Sequence, residues 1–216
     1  MKNDNMKYSA VNSSLNKLFH EIKNPLAICN GYVEIMKKKE DNKYLEIINK
    51  ELNRINQIIN DYQYSNDEKR RINLLSLLTD IKYTLDNLYN DKNTYITIDC
   101  SDQIELYGNY NLLKQLFINI FKNAYEAKDK NILLIKVVVK KLKDNLKIKV
   151  EDNGKGMNKE QLERIGEEYY TTKDNGTGLG VPFIFDIIRK HQGTINYESF
   201  ENKGTTITIK IPFNAY

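Results

Sequence analysis

The residues best suited to chemistry lie between Glu151 and Gly180, in EDNGKGMNKEQLERIGEEYYTTKDNGTGLG, where an acidic side chain is followed by two glycine clusters and the pair Thr172-Lys173. Asp152 closes an alternating strand in which Leu146, Ile148 and Val150 are apolar while Lys147, Lys149 and Glu151 are polar. Gly154 and Gly156 then let the backbone turn where a side chain would obstruct a ligand. Gly176, Gly178 and Gly180 precede an apolar helical run, Val181 to Ile188. Glycines ahead of a helix start leave several N–H groups able to converge on an anion, with the positive end of the helix dipole behind them. That arrangement suits a phosphate. The spacing is neither a Walker loop nor a dinucleotide fingerprint, because GTGLG fits neither GxxxxGK[ST] nor GxGxxG. Taken singly, each cluster also fits a plain turn.

Two more groups of polar residues stand on helical patterns. In FHEIKNPL the apolar stripe centres near Leu18 and Ile22, and at about 100° per residue His20 points away from it into solvent, with Asn24 one turn on and Glu21 to the side. Pro25 removes the N–H that would bond the carbonyl of Glu21, so the helix is expected to bend or loosen there. A neutral imidazole is nucleophilic near its pKa, and an adjacent carboxylate can hold the other ring N–H. An exposed histidine is also an ordinary surface residue. In YNLLKQLFINIFKNAYEAK, Leu113, Leu116, Phe117, Ile120 and Ala124 form a buried face, and Asn119 and Asn123 stack four apart on its flank. The same angular count sends Lys122 to the far side.

The glycine clusters in this order resemble the two glycine boxes of the GHKL superfamily of ATP-binding proteins, which share the Bergerat fold and include histidine kinases, gyrase-type topoisomerases, chaperones and mismatch-repair ATPases. The wording TTKDNGTGLG and the motif HEIKNPL resemble the histidine kinases in particular. The resemblance implies that His20 accepts a phosphoryl group, that Glu21 supports it, and that Asn24 positions a water in the reverse, phosphatase direction. It implies that Gln115 to Ala127 is the N-box, with Asn123 ligating Mg²⁺ on the triphosphate of ATP and Asn119 standing where hydrolysing relatives carry a glutamate base. Asp152 then accepts the adenine amine, which disfavours guanine. Thr206 joins Asp152 through water, and Gly154, Gly156, Thr172, Lys173, Gly176, Gly178 and Gly180 surround the nucleotide under a lid. Tyr169 and Tyr170 stand in place of the usual phenylalanines of the family's F-box. The implied partners are a second copy of the chain and a response-regulator receiver whose aspartate takes the phosphoryl group, with the wording most like kinases of spore-forming bacteria and hence a sporulation relay. The competing readings are a histidine phosphotransferase, and a regulatory ATP-binding protein of the anti-sigma kind, neither with autokinase activity.

The elements that position these residues fall into two parts. Val11, Leu15, Leu18, Ile22, Leu26 and Val33 place one stripe on a helix from about residue 8 to 38. Leu45, Ile48, Leu52, Ile55, Ile59 and Tyr62 alternate three and four apart. The predicted product is an antiparallel hairpin over residues 1–67 whose spare apolar surface pairs with a second hairpin in a four-helix homodimer. QYSNDEKRRIN reads as a linker. Residues 68–216 then read as an α/β sandwich with a mixed sheet and a nucleotide lid, making the whole chain α+β. Ile132 to Leu142 and Leu146 to Glu151 form a hairpin through KDN, and His191 caps the C-terminus of the last helix.

Composition narrows the classes. A chain of 216 residues with 40% apolar and 29% charged side chains has an ordinary soluble balance. The net charge of +4 is small and its lysines are spread out, which points away from nucleic acid. Cys29 and Cys100 lack any metal-ligand spacing and fit reduced thiols. Neither a signal peptide nor a membrane-spanning run is legible, so the expected location is the cytoplasm. Only a few residues precede the first helix, so input is expected from a separate sensor protein or an upstream region.

Overall fold

Apolar residues three and four apart on a helix form a seam only if something meets them. The computed structural model describes residues 2–39, 44–45, 47–48, 50–52, 54–55, 58–59, 69–168, 170–173 and 178–213. The chain divides into two compact units, Met1–Asp67 and Glu68–Tyr216. In the first, α1 (Lys2–Lys39) begins earlier than its apolar pattern and runs without interruption through Pro25. The described residues of 45–59 are helical and face it. Tyr32 stacks on Tyr44 with ring centroids 5.0 Å apart, and the Cys29 thiol meets the Ile48 carbonyl at 3.6 Å. Residue numbers rise on one helix as they fall on the other, so the pair is antiparallel.

The seam differs from the predicted stripe. Pro25, Cys29 and Ile55 are buried, with Leu18, Ile22, Tyr32 and Met36 half-buried, whereas Leu26 and Val33 are exposed. Phe19, Leu26 and Val33 are seven apart, so they form a separate column beside the seam, and Leu45 and Leu52 are exposed in the same way on the second helix. Tyr62 lies outside the described residues. Among the described residues no helix is long and apolar enough to cross a membrane.

The second unit begins with β1 (Arg70–Asn73), a strand where the sequence reads as linker, and continues through α2 (Leu74–Tyr89), β2 (Thr94–Asp99), β3 (Glu105–Gly108) and α3 (Tyr110–Glu126). β1 pairs antiparallel with β3, which explains the strand: alone it is short and polar, and only Ile72 is buried. Then follow β4 (Leu133–Lys141), β5 (Asn145–Asp152), α4 (Lys159–Glu163), α5 (Gly180–Lys190), β6 (Thr194–Phe200) and β7 (Gly204–Pro212). The main sheet has the order β2-β4-β5-β7-β6, with β2 parallel to β4 and the other pairs antiparallel, so it is mixed.

One face of this sheet carries the core. Ile96, Ile135, Val137, Ile148, Val150, Ile207 and Ile209 are buried, as are Leu77, Ile81 and Leu85 of α2, Leu116, Phe117 and Ile120 of α3, and Ile184 and Ile187 of α5. Asn73 and Asn109 cap α2 and α3, accepting from the backbone N–H groups of Ser76 at 2.8 Å and Leu112 at 3.0 Å. His191 follows α5 and is buried, with Nδ1 2.8 Å from the Ile187 carbonyl. Burial pushes its pKa down, so it packs as a neutral core group. A Cβ on Gly108 would come within 2.8 Å of its Nε2.

Phe117 sits at the centre of this layer with no solvent exposure, beside Phe121 at 6.5 Å between ring centroids. Phe117→Ala should cost about 3–5 kcal/mol of the stability of the α/β unit. Urea unfolding followed by tyrosine fluorescence would check it, and a loss under 1 kcal/mol would mean that α3 does not seat on the sheet this way.

Candidate functional site

The buried stripe of α3 leaves Asn119, Lys122, Asn123 and Glu126 on its open side, within an arc of about 100°. Lys122 was expected on the far side, but it lies only about 60° from Asn119 because the two are three apart. All four line a cavity of about 790 Å³ between α3, the end of β5 and the start of α5. Lys122 Nζ is 3.7 Å from Glu126 Oε1.

Asp152 lies at the β5 end of the cavity. Its Oδ1 accepts from the Gly154 N–H at 2.9 Å and the Thr205 N–H at 3.3 Å, while among the described residues Oδ2 accepts no hydrogen bond. Burial pushes its pKa up, opposed by those two bonds and by the charge of Lys130. Asp152 pairs with Thr205, whereas Thr206 pairs with Glu151. Cross-strand partners point to the same face, so Thr205 lines the cavity and the predicted Thr206 points to the other side of the sheet.

The loop after Asp152 is held by close backbone approaches. A Cβ on Gly156, at φ +64°, would come within 2.1 Å of the Phe200 carbonyl oxygen, and one on Gly204, at φ +101°, within 1.9 Å of the Asp152 carbonyl oxygen. Gly154 lies buried against the Ala127 carbonyl, which also accepts from the Lys155 N–H at 2.8 Å. Ser199 joins this cluster: its Oγ donates to the Gly204 carbonyl at 2.9 Å and accepts from the Met157 N–H at 2.9 Å.

The opposite end of the cavity is polar. Thr172 and Lys173 line it from the lid segment, and Lys173 Nζ donates to Asn123 Oδ1 at 3.2 Å and pairs with the Glu126 carboxylate. α5 starts at Gly180 after Leu179, whose side chain makes no capping bond, so the first-turn N–H groups are not taken by a side-chain cap. A Cβ on Gly180 would have Asn119 Oδ1 as its nearest neighbour, at 4.0 Å. Gly178, at φ +67°, also lines the cavity. Gly176 and Tyr169 lie outside the described residues. Tyr170 lines the cavity, and the Arg164 guanidinium sits over its ring at 3.8 Å.

In the other unit, His20, Glu21 and Asn24 are all exposed on α1; His20 lies nearly opposite buried Pro25 and Cys29, whereas Glu21, one turn before Pro25, flanks their side. Sequence reasoning missed Lys122, Glu126 and Thr205. The first two are three and seven residues from Asn119, a signal present in the helix period, and the third required the strand register.

A family model described as "Histidine kinase-, DNA gyrase B-, and HSP90-like ATPase" matches residues 108–215, the segment that builds the cavity. The chain belongs to this family. A second model, "His Kinase A (phospho-acceptor) domain", matches residues 12–70, so the chain is similar over both segments to the catalytic core of sensor histidine kinases. Sporulation kinase B of Bacillus subtilis is 34% identical over 203 residues, covering 89% of this chain and 47% of the relative. Sporulation kinase A of the same organism is 35% identical over 201 residues, covering 89% of this chain and 33% of the relative. The chain thus spans less than half the length of these two relatives. The solved complex of histidine kinase ThkA with the response regulator TrrA matches 98% of this chain and 64% of that chain, at a TM-score of 0.60 and 26% identity. In this ATPase family fold, the mixed five-stranded sheet carries the cavity on the face covered by helices.

The raised pKa of Asp152 has a definite sign in stability. The folded state keeps the proton to higher pH than the unfolded chain, so this residue's contribution falls as pH rises from the ordinary carboxylate range through the raised value. Asp152→Asn keeps an acceptor at Oδ1 and removes the charge. Without nucleotide, its melting temperature should decline less than that of the wild type between about pH 4 and pH 7. Parallel pH profiles would show that burial does not control this carboxyl.

Proposed function

We propose that this chain is a protein-histidine kinase that autophosphorylates His20 from Mg·ATP and passes the phosphoryl group to an aspartate of a response-regulator receiver. One observation carries the reading: a half-buried carboxylate and an uncapped helix start flank one cavity, in the same chain as an exposed histidine followed directly by a glutamate. The names of the related kinases and the ThkA–TrrA complex support it.

In this reading residues 1–67 form the dimerisation and phosphotransfer hairpin and residues 68–216 the ATP-binding domain. Asp152 Oδ2 accepts the adenine amine, with Thr205 beside it in the place first given to Thr206. The volume of about 790 Å³ suits a nucleotide. Gly154 and Gly156 shape the base end, and Gly178 and Gly180, at the start of α5, give the phosphates backbone N–H donors, a role that the motif also assigns to Gly176. Thr172, Lys173 and Lys122 supply further donors, and Asn119 takes a place without a general base, which favours transfer over hydrolysis. Mg²⁺ fits the oxygen of Asn123, which already accepts a cation in the ammonium of Lys173. The chemistry a bound Mg²⁺ supplies is neutralisation of charge on the phosphate oxygens.

The reacting nitrogen of neutral His20 attacks the γ-phosphorus, the bond from phosphorus to the ADP oxygen breaks, and the N–P bond forms. Glu21 holds the N–H of the other ring nitrogen and stabilises the positive ring. An aspartate oxygen of the receiver then attacks the same phosphorus and His20 leaves neutral. Asn24 orients a water in the reverse, phosphatase direction. Cytoplasmic location, input through a separate sensor and a role in a sporulation relay complete the proposal.

Labelled γ-phosphate should appear on the wild-type chain in an acid-labile, base-stable form. His20→Ala should abolish that label while keeping ATP binding, and Asn123→Ala should lose both by at least tenfold; label persisting on His20→Ala would sink the assignment. The exposed columns Phe19-Leu26-Val33 and Leu45-Leu52 are the proposed dimer seam. Leu26→Glu combined with Leu52→Glu should shift the sedimenting species from dimer to monomer at micromolar concentration, whereas an unchanged dimer would place the seam elsewhere.

A further inference from the structure

The main sheet has a second face, away from the helices, and its charge is unevenly spread. Outward residues form rows across the strands, because paired residues share a face. At the end where β4 turns into β5, the row is Lys140, Lys147, Lys210 and Thr194. Neighbouring strands stand about 4.8 Å apart, so three lysines rise side by side. Lys140 and Lys210 are exposed and Lys147 half-buried, and among the described residues none of the three has an ion pair. The carboxylates of this face are Asp99, on the edge strand β2, and Glu151 and Glu198, four residues along their strands from the row. Four residues are about 14 Å, beyond the screening length of about 8–10 Å in physiological salt.

Such a row works against the sheet, since like charges directly opposite on adjacent strands destabilise it. Lysines do guard exposed edge strands against pairing, but β4, β5 and β7 lie inside the order β2-β4-β5-β7-β6. The turn beside the row continues the pattern. Leu142, Lys143 and Asp144 join β4 to β5, with the Leu142 N–H donated to the Asn145 carbonyl at 2.8 Å and the Asp144 carbonyl accepting from the Phe213 N–H at 3.2 Å. Leu142 is 42% exposed between two lysines, and Lys141 Nζ lies 5.0 Å from the centre of the Phe213 ring. A braced tip thus presents a leucine amid lysines.

We propose that this end of the sheet docks on an anionic phospholipid surface, with Leu142 entering the headgroup layer and Lys140, Lys147 and Lys210 lying against it. A flat row of unpaired lysines complements a flat field of lipid phosphates, and each acts as a point charge while still hydrated. The core of a protein interface is instead built on aromatic and arginine anchors and is depleted of lysine, and this patch carries no arginine. The docking tip and Asp152 are at opposite ends of β5, on the order of 24 Å apart, so the cavity stays open and the proposal holds whatever the cavity binds.

The test is flotation of the full chain with vesicles of phosphatidylcholine alone and of phosphatidylcholine with about one-third phosphatidylglycerol. The anionic vesicles should carry the protein at low salt, the neutral ones should not, and about 0.5 M salt should release it. At about fivefold per lysine, Lys140→Gln, Lys147→Gln and Lys210→Gln together should weaken binding roughly a hundredfold. That variant should melt at the wild-type temperature or above it, since it removes opposed like charges. Leu142→Ser should weaken binding by about threefold or more. Lys92→Gln, Lys159→Gln and Lys203→Gln together remove the same charge from exposed positions away from this end, and should leave binding nearly unchanged. Three results would overturn the proposal: an equal loss in that control, no binding of the wild type to anionic vesicles at low salt, or capture of the chain by polyglutamate but not by vesicles. The last would assign the patch to an acidic protein instead.

Discussion

The carbonyl of Asp152 and the α-carbon of Gly204 approach so closely that a Cβ at position 204 would stand 1.9 Å from that oxygen. Only glycine permits this contact, and φ of +101° adds a second reason for it. The contact sets where β7 starts relative to the end of β5, and from that register the rest of the base end follows. Thr205 comes opposite Asp152 and its N–H reaches Oδ1. The chain beyond Asp152 must then pass beneath the turn that joins β6 to β7, which Gly156 allows at the Phe200 carbonyl. Lys155 bonds back to Ala127 at the end of α3, so the helix bearing Asn119 and Asn123 is tied to the same knot. Carboxylate, helix face and sheet floor are thus placed by backbone packing, before any ligand enters.

Much of this was legible because its signals are local. The two glycine clusters, the alternation ending at Asp152 and the four-residue spacing of Asn119 and Asn123 each state a conformation within a few residues, and the mixed α/β sandwich follows from their order. What failed depended on distant partners. Thr205 and Thr206 are adjacent in sequence but face opposite sides of a strand, so a one-residue error in register exchanges a cavity residue for a surface one. Arg70–Asn73 has no strand signal of its own; it becomes one by pairing with Glu105–Gly108. Leu26 and Val33 look like members of the hairpin seam, but a 3.5-residue repeat moves the seam to Pro25, Cys29 and Tyr32 and leaves them in a neighbouring column.

Electrostatics at the other end of the cavity follow a different logic. Glu126 faces Lys122 and Lys173, and an acidic group beside a site meant for phosphates has the wrong sign for direct binding. Its value lies in ordering. A free lysine on a lid loses about 2 kcal/mol of side-chain entropy when its ammonium is fixed. Held between Asn123 and Glu126, Lys173 has already lost most of that freedom. The pair is nevertheless open to water, with side-chain exposures of 34% and 30%, so it is worth on the order of 1 kcal/mol or less and is readily given up. A ligand carrying several negative charges at the same point outbids one carboxylate, and the cation moves a short way instead of being recruited from solvent. In the nucleotide reading, Glu126 therefore aids binding through the lysine it keeps in place, and its own repulsion of the phosphates is offset by the two ammonium groups beside it.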